Sequence, residues 1–257
     1  MNAYYVEELR AHLRYHDLPG RDPTCVFLHG LGSASSSYFP QATAHQRLRD
    51  HRSILIDLLG CGYSDRPRGF DYAMEEQAEI LVAFLRSLEI EGCVLIGHSM
   101  GGSIAVLVAA EAPERVRHLI AAEANLDPGP GIVSGIITSM PEEEFVARGH
   151  AGFVETMRTA GFPDYAGTLQ ACDPAALHRS AVSLIAERRP TYRECLARLT
   201  LPRTFLFGDR NLPDPDVDLL LADGIEVRII PESGHDMMGD NASGFAEAVA
   251  DAIEGRR

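Results

Sequence analysis

From about residue 23 onward, short apolar and β-branched runs alternate with segments whose apolar positions recur at helical spacing. Thr24–Leu28, Ser53–Asp57, Cys93–Ile96, Val116–Ala122, Thr204–Phe207 and Glu226–Ile230 read as strands. Between them Phe39–Arg49, Met74–Leu88, Ser99–Ala112, Pro215–Ala222 and Asn241–Ile253 read as helices, the last with an apolar stripe at Phe245, Val249 and Ile253. Tyr4–Leu9 and Ala11–His16 precede the series as an antiparallel pair. Such alternation predicts a mostly parallel sheet covered on both faces by helices.

One segment breaks the rhythm. Asp127 to Leu201 contains no convincing strand and is far longer than an ordinary connection. It carries helix signals instead. Asp173 followed by Pro174 is an N-cap with proline in the first helical position, opening Ala175–Arg188. Thr191 and Glu194 form a capping box opening Tyr192–Leu199, and Glu142–Glu144 place acids on the first turn of another helix. The expected organisation is a core of residues 1–127 and 201–257, with a helical cap inserted at 128–200.

Composition narrows the function classes. A chain of 257 residues with 46% apolar and 23% charged positions suits one large globular domain that needs no staple. Its net charge of −14, from 23 basic and 37 acidic side chains, argues against a nucleic-acid partner. The five cysteines (Cys25, Cys61, Cys93, Cys172 and Cys195) show no C-x-x-C spacing and read as reduced thiols. No targeting sequence and no membrane-length apolar run is visible, so a cytoplasmic location is expected, with no membrane partner. Neither metal-ligand spacing nor a phosphate-binding glycine loop appears, so no cofactor and no metal are expected. A homo-oligomer stays open.

The chemistry concentrates in Gly97-His98-Ser99-Met100-Gly101, set between a strand and a helix. G-x-S-x-G in that setting is a nucleophile elbow, a turn sharp enough to strain the serine backbone and project its hydroxyl. Glycines two residues to either side let neighbouring backbone pass without a Cβ. A serine hydroxyl attacks only when a base takes its proton, and a histidine base needs a carboxylate to set its tautomer. His235, in Gly234-His235-Asp236 after the last strand, is the candidate base.

His29-Gly30-Leu31-Gly32, Asp57 through Asp65, Gly97 through Gly102, Leu206-Phe207-Gly208-Asp209 and Gly234-His235, in this order, resemble the α/β-hydrolase superfamily. The resemblance implies an eight-stranded, mostly parallel sheet with a helical cap after strand six. It also implies a second oxyanion-hole N–H in the loop opened by His29-Gly30, from Leu31 with Gly32 as the alternative. The first would be the Met100 N–H at the start of the helix.

Most relatives carry the acid as the Asp of a G-x-x-D motif after strand seven. Here that tetrad is Gly208-Asp209-Arg210-Asn211, and an amide cannot balance an imidazolium. The other superfamily location is the end of strand six, where Glu123 closes an otherwise apolar strand. Glu123 is the leading candidate, with Asp209 and Asp127 as alternatives.

These residues predict a serine hydrolase acting on an ester, lactone or thioester through an acyl-enzyme on Ser99. Carbon–carbon bond hydrolysis, acyl transfer and perhydrolysis use the same parts, and a ligand receptor on this fold is the non-enzymatic alternative. The apolar cap suggests a small-molecule substrate with a hydrophobic part, and Met140, Phe145, Phe153 and Met237, which stands beside the base, are candidate pocket residues, although apolar cap residues such as the first three are more often cap core. His150 and His178 read as surface residues.

Overall fold

The structure is a computed structural model describing residues 1–256. Eight strands form one sheet: β1 (Asn2–Val6), β2 (Ala11–Leu18), β3 (Arg21–Leu28), β4 (His51–Asp57), β5 (Cys93–His98), β6 (Val116–Ala122), β7 (Arg203–Gly208) and β8 (Glu226–Ile230). Their spatial order is β1-β2-β4-β3-β5-β6-β7-β8. β2 pairs antiparallel with β1 and β4, and every other pairing is parallel. The central strands match the sequence expectation to within a few residues.

Strand side chains alternate between two cores. Val26, Leu28, Ile54, Ile56 and Leu95 face one, while Cys25, Phe27, Leu55, Val94 and Ile96 face the other. A sheet with both faces covered needs apolar residues at successive positions, which is why these strands read as continuous apolar runs. The first core receives α3 (Met74–Ser87) and α4 (Met100–Glu111), and the second receives α12 (Met237–Glu254).

Two helices depart from expectation. Phe39–Arg49 is not one helix: α1 (Ser35–Tyr38) and α2 (Pro40–Thr43) are single turns, followed by further turns. Pro40 has no N–H and fits only the first turn of a helix, so the chain restarts there. α12 begins before Asn241, which itself interrupts the helix at φ −152° and ψ 71°.

Between β6 and β7 the chain carries helices and no strand: α5 (Ile132–Thr138), α6 (Glu142–Glu144), a π turn at Phe145–Gly149, α7 (His150–Thr159), α8 (Pro163–Ala171), α9 (Pro174–Ile185) and α10 (Tyr192–Arg198). Asp173 and Thr191 cap α9 and α10 with their side chains, as the sequence predicts. α11 (Asp216–Ala222) joins β7 to β8. Among the described residues, no helix is long and apolar enough to cross a membrane.

Candidate active site

β5 ends at His98 and α4 starts at Met100, so Ser99 alone makes the turn. Its φ of 52° and ψ of −124° are strained for a residue with a Cβ. The strain is held by hydrogen bonds from Ser99 N–H to Ala122 (2.8 Å) and from Gly102 N–H to the Ser99 carbonyl (2.8 Å). The flanking glycines are needed for close packing. A Cβ on Gly97 would meet the Gly101 backbone, and a Cβ on Gly101 would meet the carbonyls of Leu28 and His29.

The second group comes from the neighbouring strand ends. Glu123 follows β6 at φ 48°, and its N–H extends the ladder to Leu206 (3.0 Å). Its Oε1 accepts the Gly208 N–H (2.9 Å), and its Oε2 lies 3.7 Å from Nδ1 of His235. That second separation is ion-pair range, longer than a normal hydrogen bond. Burial pushes the Glu123 carboxyl up, but the His235 ring, the Gly208 N–H and the Asn211 amide together hold it below its ordinary value. Asn211, in the G-x-x-D position, thus stands beside the strand-six carboxylate.

The two alternative acids point elsewhere. Asp209 is exposed and accepts the N–H groups of Glu232 (2.9 Å) and Ser233 (3.0 Å), which brace the loop leading to His235. Asp127 pairs with Arg193 at 2.7 Å.

His98, inside the elbow motif, does something the sequence reading missed. Burial and the neighbouring His235 depress its pKa to about 3, so it is neutral. Its Nε2 therefore carries the proton and donates to the His235 carbonyl at 2.7 Å. Tyr38 packs on the His98 ring at a centroid distance of 5.0 Å. The only advance signal was a titratable residue inside a strained motif.

The loop after β3 is shaped by buried polar groups. His29 donates from Nδ1 to the Gly30 carbonyl (2.8 Å) and accepts the Leu58 N–H at Nε2 (3.0 Å), which makes it structural. Asp57 holds the chain after β3 through Ser36 and also accepts the Tyr63 N–H of the turn after β4. The N–H groups of Leu31 and Gly32 meet no acceptor among the described residues. Met100 N–H lies in the first turn of α4, where no intrahelical carbonyl is available and the helix dipole favours negative charge.

Three of the four candidate pocket residues are buried. Phe145 and Phe153 are buried in the first core, with the Phe145 ring 5.7 Å from His178. Met237 is buried in the second core with Phe39 and Phe245. Its place in the first turn of an amphipathic helix, beside the histidine loop, turned it toward the sheet. Met140 alone of the four keeps partial exposure. His178 is not a surface residue either. It is buried, with Nε2 on the Met140 carbonyl (3.0 Å), and half-buried His150 bonds the Leu169 carbonyl (2.9 Å).

Sheet order, strained serine elbow and adjacent His–Glu pair define an enzyme of the α/β-hydrolase type. The alpha/beta hydrolase fold family matches residues 23–185, and the chain belongs to that family. It is 26% identical over 230 residues to 2-hydroxy-6-oxo-2,4-heptadienoate hydrolase of Pseudomonas putida, covering 84% of this chain and 76% of that protein. An esterase from Exiguobacterium antarcticum superposes with a TM-score of 0.81 at 20% identity, covering 98% of each chain. The enol-lactonase of Burkholderia xenovorans superposes with a TM-score of 0.79 at 19% identity, covering 98% of this chain and 100% of that one.

Proposed function

We propose that this protein is a serine hydrolase that cleaves a carboxylic ester, lactone or thioester bearing a hydrophobic part. Ser99 Oγ attacks the carbonyl carbon while His235 takes its proton. Glu123, on the Nδ1 side of the ring, sets the tautomer and balances the imidazolium. The N–H groups of Met100 and Leu31 receive the oxyanion, with Gly32 as the alternative second donor. His235 then returns the proton to the departing alkoxide or thiolate. Water, deprotonated by the same histidine, attacks the acyl-enzyme and releases the acid with Ser99 restored. The helical segment 128–200 serves as the cap over this site.

One observation carries the reading: a serine held at φ 52° on an elbow, with a histidine–carboxylate pair 3.7 Å apart past the ends of β8 and β6. The esterase and lactonase sharing the fold are consistent with it. The test is fluorophosphonate labelling followed by a panel of esters, thioesters and lactones of increasing acyl length. The wild type should label and turn over, and Ser99→Ala should do neither while keeping its circular dichroism spectrum. Labelling of Ser99→Ala equal to wild type would end the serine-hydrolase reading.

A second reading has one observation behind it. The Pseudomonas relative is named for a substrate that contains no ester, lactone or thioester in its name. A keto-dienoate in the same panel would reveal carbon–carbon bond hydrolysis on the same residues.

A further inference from the structure

One face of α8 lies along the loop that follows β3. Tyr165 and Leu169 stand at i and i+4 on that face, and Cys172 is the residue at which the helix ends in extended backbone. Tyr165 Oη donates to the Leu31 carbonyl at 2.9 Å. A Cβ on Gly32 would strike Leu169 and come within 3.0 Å of Tyr165 Oη. Cys172 Sγ lies 3.9 Å from the Ser33 carbonyl. Three consecutive loop residues, Leu31 to Ser33, are thus each covered by a residue of α8 or of its C-terminal end.

The loop's own bonds show which peptide depends on that cover. A trans peptide holds its N–H opposite its carbonyl, so fixing one fixes the other. The Gly30 carbonyl accepts from His29 Nδ1 (2.8 Å) and Ser33 N–H (3.1 Å), both local, which sets the direction of the Leu31 N–H. The next peptide is different. Among the described residues, the Leu31 carbonyl has one hydrogen bond, the one from Tyr165. That peptide joins Gly32, at φ +74° and without a side chain, a pivot with little resistance to rotation. Burial pushes the Tyr165 hydroxyl well above its ordinary pKa, so it stays a donor.

We propose that Tyr165, on a helix of the insertion, is a positioning residue for the oxyanion site: its hydroxyl holds the Leu31–Gly32 peptide in the orientation that presents the Gly32 N–H to the substrate. This rests on the reading of Gly32 as an oxyanion donor. Donors stabilise a developing charge best when their direction is set before the reaction, and losing one outright costs roughly 10²–10³ in kcat. Releasing the peptide plane while keeping the donor costs part of that.

Tyr165→Phe removes the hydroxyl and keeps the ring. It should lower kcat about ten-fold with KM within about two-fold, because the donors act on the transition state. Affinity for a trifluoromethyl ketone, which forms a tetrahedral adduct with the serine, should fall in parallel with kcat/KM. Thr168→Ala is the control on the same helix, since its hydroxyl bonds the Tyr165 carbonyl at 3.0 Å and not the loop. It should leave kcat unchanged.

Gly32→Ala perturbs the same contact from the loop side and should repeat the loss of kcat at constant KM. The ¹⁵N order parameter of the Gly32 amide reads the restraint without turnover. A lowered order parameter at Gly32 in Tyr165→Phe supports the proposal, even if the wild type hydrolyses no ester and the proposed function falls. An unchanged order parameter overturns it, as does full kcat in Tyr165→Phe of an enzyme whose wild type turns over. Should Tyr165→Phe fail to fold, Gly32→Ala decides: lost kcat with KM held supports the proposal, and equal loss in both parameters or none overturns it.

Discussion

His98 and His235 are joined through the main chain: the Nε2–H of one donates to the carbonyl of the other at 2.7 Å, with ring centroids 4.9 Å apart. The residue preceding the nucleophile therefore anchors the loop carrying the base. A protonated His98 would place a cation in a buried site beside another imidazole, and burial resists this first.

A pH signature follows. The folded pKa of about 3 lies below the ordinary 6.5, so between these values the unfolded chain takes up a proton that the folded chain refuses. The associated stability is complete above about pH 6.5 and is lost as pH falls toward 3. His98→Gln keeps an N–H donor without the titration. Urea unfolding at a series of pH values should show a shallower acid slope for His98→Gln than for wild type, and equal slopes would contradict the neutral buried imidazole. His98→Leu removes the donor and should lower kcat.

Glu123→Gln should cut turnover by about 10³–10⁴, since a neutral partner stabilises neither the required tautomer nor the imidazolium. Asp209→Asn should change turnover by less than ten-fold, because Asp209 braces Glu232 and Ser233 rather than the ring. Asn211→Asp in the Glu123→Gln background should restore part of the rate, because Asn211 already stands beside Glu123. The Glu123 carboxyl has a lowered folded pKa, so its stabilising contribution is present above the unfolded value and lost as pH falls below about 4.5. The gap in melting temperature between Glu123→Gln and wild type should close over that range. A nearly silent Glu123→Gln beside an inactive Asp209→Asn would remove the strand-six carboxylate from the mechanism.

Phe145 tests whether the insertion's aromatics are core or pocket. It is fully buried against His178 and His150, so Phe145→Ala should destabilise the protein by about 3–5 kcal/mol. Preference among acyl lengths should stay within a factor of two. A shifted preference at unchanged melting temperature would return Phe145 to the pocket.

Gly101→Ala sets a Cβ against the carbonyls of Leu28 and His29, which are backbone atoms at the end of a central strand and cannot move aside as a side chain would. A loss of about 1–3 kcal/mol or more is expected from overpacking. Gly69→Ala meets nothing within 4 Å and should fall within about 0.5 kcal/mol of wild type. Thermal denaturation of the two variants side by side checks the contrast.

The strands, most helices of the core and the elbow were legible in the chain because their causes are local. Apolar runs, helical periodicity, the Asp173 and Thr191 caps and the glycines around Ser99 act within a few residues of themselves. What lay beyond local reading depended on which elements become neighbours. Glu123 and Asp209 sit at the ends of adjacent strands, and only the fold turns one carboxylate to His235 and the other to the Glu232–Ser233 backbone. Met237 carries the same apolar side chain in either core, and the packing of α12 decided which. Nothing near Tyr165 in sequence marks it as a partner of Leu31, 134 positions away. Local sequence sets the conformations that short-range sterics and hydrogen bonds can hold, whereas contacts between distant side chains exist only once the sheet has ordered its strands.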